Sequence, residues 1–317
     1  MLGAGVNGRR PIPGGERSLP KTGGEFPLPK AVDPAIRFHD EPPKAVEADP
    51  ELRSIWTQGV RFEEEGRFLE STAFFEWISA SLPHLSGPCW RASRNYWRFG
   101  EALPLDDLRN RQEYFELSEQ WADRGLGLDP ECAECILWKV AAMGRLGMTN
   151  GIVSGIRSAR TVHELIETGI ALDPQHRDNE FNSTLANLYY TGAVFYRLVP
   201  DWFWIKWVLG VQGDKERSHR YIRSALAISE TRIDYHVELG VILLCLGHEK
   251  GRTELIEQGE LVLRRVAALE PSTEWEQRDV AGARLLLDNA AQACDYSALG
   301  WIDVERALED KRDSMEH

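Results

Sequence analysis

The chain has 317 residues, 43% of them hydrophobic and 27% charged, so it can bury one large core or a series of small stacked ones. Its 50 acidic and 37 basic residues give a formal net charge of -13, which opposes binding to the phosphate backbone of nucleic acids. This composition excludes a wholly disordered chain and argues against a nucleic-acid partner.

The first 50 residues are rich in Gly and Pro and contain few large apolar side chains. Such a segment buries too little apolar surface to offset the entropy lost on ordering. We therefore predict a flexible tail over residues 1–50 and a helical domain over residues 51–312. No apolar run of a secretory signal and no lipobox-like cysteine precedes the domain, which predicts a cytoplasmic location; a start site further upstream would allow a periplasmic one.

The helical domain begins with a segment whose spacing is regular, ELRSIWTQGVRFEEEGRFLESTAFFEWISASLP. It resembles the tetratricopeptide repeat, and the resemblance rests on Gly59, Phe62, Gly66, Phe75 and Pro83. The resemblance implies that the first glycine lets two helices meet and that both phenylalanines fill their interface. It also implies that Gly66 and Pro83 end the two helices. Ser71 stands at the usual small position of the second helix.

Stacked helix pairs place the first helix of each pair on the concave face, where solenoids bind extended partners. In the first unit that face would carry Arg53, Trp56, Val60 and Glu63, which we predict to be partner-binding residues. An exposed Trp56 would anchor a partner peptide. The alternative is that Trp56 packs against the neighbouring repeat.

Later units repeat a helix end, a turn and a new helix. The dipeptides Asp129-Pro130 and Asp173-Pro174 each place an N-cap acceptor before a proline suited to the first helical position. Small residues mark the points where helices would approach closely: Gly125, Gly169 and Ala225. The pattern predicts helices that start at both Asp-Pro dipeptides.

Five segments in order, two LDP turns, YRLVPDW, GDKERSHRYIRSALAIS and LGVILLCLG, resemble the divergent tetratricopeptide proteins that include the T component of tripartite ATP-independent periplasmic transporters. They resemble more distantly the eukaryotic regulators of microtubule dynamics. The similarity covers about residues 85 to 270. It implies an all-α, tetratricopeptide-like α-solenoid of about five units, with inserted helices.

The five cysteines are an odd number in a long chain, so we predict reduced and mostly buried thiols rather than a disulfide framework. Cys132 and Cys135 form a C-x-x-C that would place both sulfurs on one helix face. No strand of a βαβ unit precedes them, which argues against a thioredoxin-type motif, and no further ligand pair indicates zinc. The favoured interpretation is two small residues at a close helix contact.

Motifs of catalysis are absent from the sequence. His163 in VHELIE has no second histidine four residues on, and neither G-x-S-x-G nor G-x-x-x-x-G-K-[ST] occurs. We predict no enzyme activity, no cofactor and no metal site.

The stretch YRLVPDWFWIKWVLGVQGDKE concentrates large aromatic residues, and its charges and proline make it unsuitable as a membrane span. The first interpretation is an inserted amphipathic helix packed over the inner face. The second is a ligand groove formed by Trp202, Phe203, Trp204 and Trp207. The third is an interfacial membrane helix.

These patterns predict a non-catalytic scaffold that binds a protein partner. The alternative is a small-molecule or lipid-binding accessory protein of a transport system, which would hold a small apolar ligand at the aromatic insert. Association with a membrane is not expected.

Overall fold

The computed structural model describes residues 37–38, 41–149, 152–179, 182–201, 211–297 and 300–301. Within these ranges lie twelve α-helices: α1 (Lys44–Glu47), α2 (Pro50–Glu64), α3 (Phe68–Ser81), α4 (Gly87–Ala102), α5 (Leu108–Leu128), α6 (Ala133–Thr149), α7 (Ile152–Ala171), α8 (Thr184–Leu198), α9 (Lys215–Ile228), α10 (Ile233–Lys250), α11 (Thr253–Ala267) and α12 (Glu274–Asp288). A 3-10 helix covers Ala290–Asp295. The described strands are β1 (Arg37–Phe38), β2 (His176–Asn179), β3 (Asn182–Ser183), β4 (Tyr296–Ser297) and β5 (Gly300–Trp301).

The helices pack in sequence as antiparallel neighbours. Helix α2 packs on α3, α4 on α5, α6 on α7, α8 on α9 and α10 on α11, and each pair packs on the next. Helix α12 follows against α11 and α10. This arrangement confirms an all-α, tetratricopeptide-like solenoid, because successive helix pairs bury their apolar faces against the neighbouring pairs.

The first unit folds as its sequence predicts. Pro50 opens α2, and the Asp49 side chain accepts a hydrogen bond from the backbone N–H of Glu51 at 2.9 Å. Gly66, which follows α2, has φ of 73°, a conformation that favours glycine.

The two helices of this unit meet at Gly59. A Cβ atom there would lie 3.0 Å from Cζ of Phe75, so only glycine permits this approach without movement of the ring. Ser71, at the position usually small in the repeat, donates a hydrogen bond of 2.7 Å to the carbonyl of Gly59. The hydroxyl therefore satisfies a buried carbonyl at the helix contact.

The largest hydrophobic core lies between the helices of the middle units. It joins side chains of α6 to α10 and includes Ile136, Ile166, Leu188, Tyr196, Tyr235 and Ile242. Smaller clusters follow at both ends of the solenoid, one around Trp56 and Phe75 and one around Leu263 and Leu286. A chain of adjoining cores is expected when repeats stack in one dimension.

The predicted helix starts at the two Asp-Pro dipeptides were wrong. Asp129 caps the C-terminus of α5, and α6 begins only at Ala133. Asp173 has φ of 47°, and the chain continues into β2 before α8 begins. In both places the proline lies in the connection between two elements and not in the first turn of a helix.

Part of residues 1–50 is included in the described structure. Strand β1 pairs in parallel with β2, Arg37 opposite His176. Helix α1 follows and buries Val46 completely, packed with Trp56. The Val46 contact supplies the apolar burial that composition alone did not indicate, and the flexible tail stays a prediction for the residues before β1.

Candidate partner-binding surface and insert pocket

The first helices of successive pairs form the inner row of the solenoid. Helix α4 packs on α6, α6 on α8, and α8 on α10, more extensively than the second helices pack on one another. The shorter distance between neighbouring helices marks the concave side of a curved stack. We call the exposed parts of this row the inner surface.

The residues predicted to bind a partner from α2 fall into two groups. Arg53 is exposed and Val60 is half-buried. Trp56 is only 2% exposed and meets the ring of Phe75 edge-on, with ring centroids 5.2 Å apart. The expectation that Trp56 faces a partner is therefore corrected: it packs within its unit and against the next.

Glu63 is corrected in the same way, because it forms a buried ion cluster. It lies 3.0 Å from Nη1 of Arg91 and 2.6 Å from Nε of Arg94. Burial acts to raise the pKa of Glu63, but Arg94, Arg91 and Arg98 outweigh it and hold the pKa below its usual value. The carboxylate stays charged as an internal counterion between α2 and α4.

Three tryptophans from distant parts of the chain meet at the inner surface. The ring of Trp97 in α4 lies 5.6 Å from that of Trp138 in α6 and stacks at 6.4 Å on Trp275 in α12. Arg145 lies over Trp97 and Arg278 over Trp275. We call these five residues the tryptophan cluster. Its outer member, Trp275, is 41% exposed.

One polar atom of this cluster lacks a partner. The indole N–H of Trp97 is buried, and within the described part of the chain it has no hydrogen-bond acceptor. A buried donor without an acceptor costs free energy, so such groups are uncommon in folded proteins.

A buried carboxylate lies beside the tryptophan cluster. Glu101 at the end of α4 is 2.9 Å from Nη2 of Arg111 and 2.9 Å from Nε of Arg145. Its backbone carbonyl accepts a hydrogen bond from Arg278 of α12 at 3.4 Å. Helix α12 thus returns to the second unit across 177 positions of sequence.

Further along the inner row lies an acidic area. Asp234 pairs with Arg232 at 2.6 Å, and Tyr190 stacks on Tyr235 with centroids 4.9 Å apart. Burial, and then the charge of Asp234, raise the pKa of Asp279 in α12 to about 8. Sequence reasoning missed this area, because its members are spread over three helices with no shared spacing.

A cavity of about 560 Å³ opens where α7, α8, α9 and α10 meet. Asp201 and Val211 line it, the residues on either side of 202–210. We call it the insert pocket.

A shared carboxylate organises the wall of the insert pocket. Glu167 accepts hydrogen bonds from the hydroxyls of Tyr196 at 3.0 Å and Tyr221 at 2.7 Å, and lies 2.6 Å from Nη2 of Arg217. His163 Nδ1 is 2.6 Å from the Tyr196 oxygen. The Tyr196 hydroxyl has one proton, which it donates to Glu167. The Nδ1 atom of His163 must therefore carry a proton and donate it to the Tyr196 oxygen. Burial lowers the pKa of His163 and raises that of Tyr196.

The pocket's remaining charges are also paired. Lys215 lies 2.5 Å from Glu249 and 3.6 Å from Asp201, and Lys250 pairs with Glu216. A ligand entering the pocket would therefore meet compensated ion pairs rather than a field of one sign.

The proposed ligand groove of Trp202, Phe203, Trp204 and Trp207 lies outside the described residues. Among the helices that are described, none combines the length and apolar character needed to cross a bilayer.

The prediction of reduced thiols was wrong for four cysteines. Cys132 bonds to Cys135 and Cys245 to Cys294, while Cys89 is a buried free thiol. The Cys132–Cys135 disulfide is compatible with the C-x-x-C spacing, because Cys132 directly precedes helix α6. The C-x-x-C motif in the sequence could therefore have indicated this disulfide. The second pair depends on the 3-10 helix packing on α10, which only the tertiary structure shows.

Metal-ligating atoms come together at Cys245, Glu249 and Cys294. Both sulfurs of this group are joined in the disulfide, so neither is a thiolate that could bind a metal ion.

Comparison with known proteins gives a family similarity over part of the chain. The family model described as Regulator of microtubule dynamics protein 1-3 matches residues 71–190. No curated protein matches the chain. A crystal structure of a thermophilic TPR protein in Thermus thermophilus matches with a TM-score of 0.48 and 13% identity, covering 74% of this chain and 99% of that one. These comparisons do not show the T-component family.

Proposed function

We propose that this protein is a non-catalytic helical-repeat scaffold that binds a protein partner on its inner surface. The observation that carries the proposal is the tryptophan cluster, where a partly exposed Trp275 lies beside the buried, unpaired N–H of Trp97. Tryptophan and arginine are the residues most enriched at binding hot spots. A partner segment would add apolar area against the exposed part of the Trp275 ring.

The proposed partner site therefore moves from α2 to the meeting point of α4, α6 and α12. Arg53 and Val60 remain at the edge of the inner surface and extend the proposed contact. No chemical step is assigned to the protein, and no cofactor is required for such binding.

Site-specific photo-crosslinking tests this proposal. A photoreactive residue at position 275, on the inner surface, is compared in the native extract with one at position 261, where Leu261 of α11 is also exposed. We expect one specific partner crosslinked at 275 and not at 261. Trp275→Ala is expected to weaken capture of that partner at least tenfold, whereas Leu261→Ala leaves it unchanged. Equal crosslinking at both positions would contradict the proposal.

The second candidate function is a small-molecule or lipid-binding accessory protein of a transport system. The insert pocket supports it, because Asp201 and Val211 line the pocket and flank the aromatic insert in the sequence. The two disulfides also support an oxidising compartment such as the periplasm rather than the predicted cytoplasm.

Binding of an apolar fluorescent probe, anilinonaphthalene sulfonate, distinguishes this function. The double variant Trp202→Ala/Trp204→Ala is expected to bind the probe at least fivefold more weakly than the wild type. The control is Trp77→Ala on α3, an exposed tryptophan that does not line the insert pocket. Equal losses in both variants, or no probe bound by the native protein, would exclude the second function.

A further inference from the structure

The Cys132–Cys135 disulfide lies at the N-terminus of a long helix. The carbonyl of Cys132 accepts the first helical hydrogen bond, from the N–H of Ile136 at 3.0 Å, so Cys132 is the N-cap residue of α6. Its sulfur accepts a hydrogen bond from the N–H of Cys135 at 3.2 Å. The sulfur thus occupies the place where a serine or aspartate oxygen usually caps a helix.

This position stabilises negative charge on the Cys132 sulfur when the disulfide is opened. The N–H groups of the first turn and the positive end of the helix dipole both favour a thiolate over a thiol. The nearby charges partly oppose one another. Glu131 is exposed, and Glu134 lies 3.3 Å from Nδ1 of His176. Arg91 and Arg94 hold their guanidinium groups over Trp90, which packs against the cysteine pair.

The two cysteine residues differ in exposure. Cys132 retains 5% exposure, and Cys135 has none. Behind Cys135 lies Gly125, where a Cβ atom would be 2.5 Å from the Cys135 sulfur and 3.2 Å from Cβ of Cys89. Burial raises the pKa of the Cys89 thiol, which keeps it protonated. Within this pair, Cys132 is therefore the cysteine that an incoming small thiol can approach.

The second disulfide has the opposite electrostatic setting. Cys245 lies toward the C-terminal end of α10, where the helix dipole disfavours negative charge. Glu249 lies 3.7 Å from the Cys294 sulfur and adds a like charge. Arg197 also donates hydrogen bonds to the carbonyls of Cys294 and Tyr296, which holds this segment in place independently of the disulfide.

We propose that Cys132–Cys135 is a redox-active pair that exchanges with low-molecular-weight thiols, while Cys245–Cys294 is a structural disulfide. In reduction, a thiolate attacks the Cys132 sulfur, the bond between the two cysteines breaks, and Cys135 leaves and takes up a proton. A second small thiol then releases Cys132 as a thiolate and departs as a small-molecule disulfide. Two electrons pass to the protein, and two thiols are oxidised to one disulfide. The proposal is independent of the partner-binding function.

Redox titration of the folded wild-type protein tests it directly. Samples are equilibrated with mixtures of reduced and oxidised glutathione, quenched with acid, alkylated, and mapped by peptide mass spectrometry. We expect half-reduction of Cys132–Cys135 at a ratio of reduced glutathione squared to oxidised glutathione at least tenfold lower than that for Cys245–Cys294. Reduction of both pairs at one ratio, or of Cys245–Cys294 first, would overturn the proposal.

Single substitutions then identify which of the two cysteines exchanges with the small thiol. With oxidised glutathione, Cys135→Ser is expected to form a stable mixed disulfide at Cys132. The matched variant Cys132→Ser, which leaves the buried Cys135, is expected to react at least tenfold more slowly. Circular dichroism establishes that both variants remain helical. Equal rates in the two variants would overturn the assignment, and the wild-type titration remains decisive if either variant fails to fold.

Discussion

The inner surface and the insert pocket each contain a carboxylate that binds several partners, and the two carboxylates differ in exposure. At the inner surface, Glu101 holds Arg111 and Arg145 and is almost completely buried. In the insert pocket, Glu167 holds Arg217 and two tyrosine hydroxyls with a side chain that is 37% exposed. The same arrangement therefore contributes differently in the two regions, because water can replace lost partners only at Glu167.

A second difference concerns what each region offers a ligand. The inner surface presents the exposed aromatic area of Trp275, whereas the pocket presents charges that already have counterions. Binding at the pocket must disturb these ion pairs, so we place the protein partner at the inner surface.

Glu101→Ala is expected to have the largest effect on stability. It leaves Arg111 buried without its counterion, which costs about 3–5 kcal/mol of the free energy of unfolding. Urea denaturation followed by circular dichroism measures the change. The control is Glu164→Ala, whose partner Arg160 is exposed, and no measurable change is expected there. A loss below about 1 kcal/mol for Glu101→Ala would show that water reaches the inner carboxylate.

Asp279→Asn is expected to stabilise the protein at alkaline pH. The pKa of Asp279 rises from 3.8 to about 8 on folding, so between these values the folded state binds more protons than the unfolded state. The stabilisation that protonated Asp279 contributes to the folded state is fully present below pH 3.8 and is lost as the pH rises toward 8. Asparagine cannot ionise, and removing this loss should add about 1–3 kcal/mol near pH 8.

The pH dependence checks the assignment. The difference between Asp279→Asn and the wild type should shrink as the pH falls from about 8 to about 5 in urea denaturation. Asp288→Asn, an exposed residue of the same helix, serves as the control and should show no such trend. A constant difference at all pH values would contradict the raised pKa of Asp279.

Glu167→Ala is expected to cost about 1 kcal/mol, less than Glu101→Ala. The variant removes the acceptor of Tyr196 and Tyr221 and the counterion of Arg217. Because the Glu167 side chain is 37% exposed, water can fill the space that its carboxylate leaves and replace these contacts. Urea denaturation again provides the measurement. A loss as large as that of Glu101→Ala would mean that the pocket wall is as dry as the inner surface.

Trp275→Ala is expected to have the smallest effect on stability, about 0.5–1 kcal/mol, from the lost stacking on Trp97. Leu285→Ala is the matched control, because both side chains are 41% exposed and lie on α12. Thermal unfolding should show a lower midpoint for Trp275→Ala than for Leu285→Ala. Identical midpoints would indicate that the ring contact between α4 and α12 adds nothing to stability.

The first unit shows how far local pattern can predict this fold. Gly59, Phe75 and Gly66 lie as the repeat pattern implies, because helix periodicity and a left-handed turn are local properties. The same reasoning predicted Trp56 and Glu63 to be on the exposed concave face, whereas both are buried. The reason is that the next unit covers this face of α2. Whether an amphipathic residue is covered depends on how the units stack.

The candidate sites were less predictable than the fold. The tryptophan cluster joins α4, α6 and α12, and Glu101 and Arg278 are 177 positions apart, with no motif that links them. The Cys245–Cys294 disulfide is similarly invisible in the spacing of its cysteines. Such contacts depend on the curvature of the whole solenoid, to which every helix contact contributes.

The sequence by itself determined the helical class, the paired-helix repeat and the position of the first unit, because periodicity, small residues and turn residues act over a few positions. Only the tertiary structure decided which inner residues are exposed, which cysteines pair and where helix α12 returns to the second unit. The reason is physical: burial and pairing depend on the summed geometry of many helix contacts, which no local segment specifies.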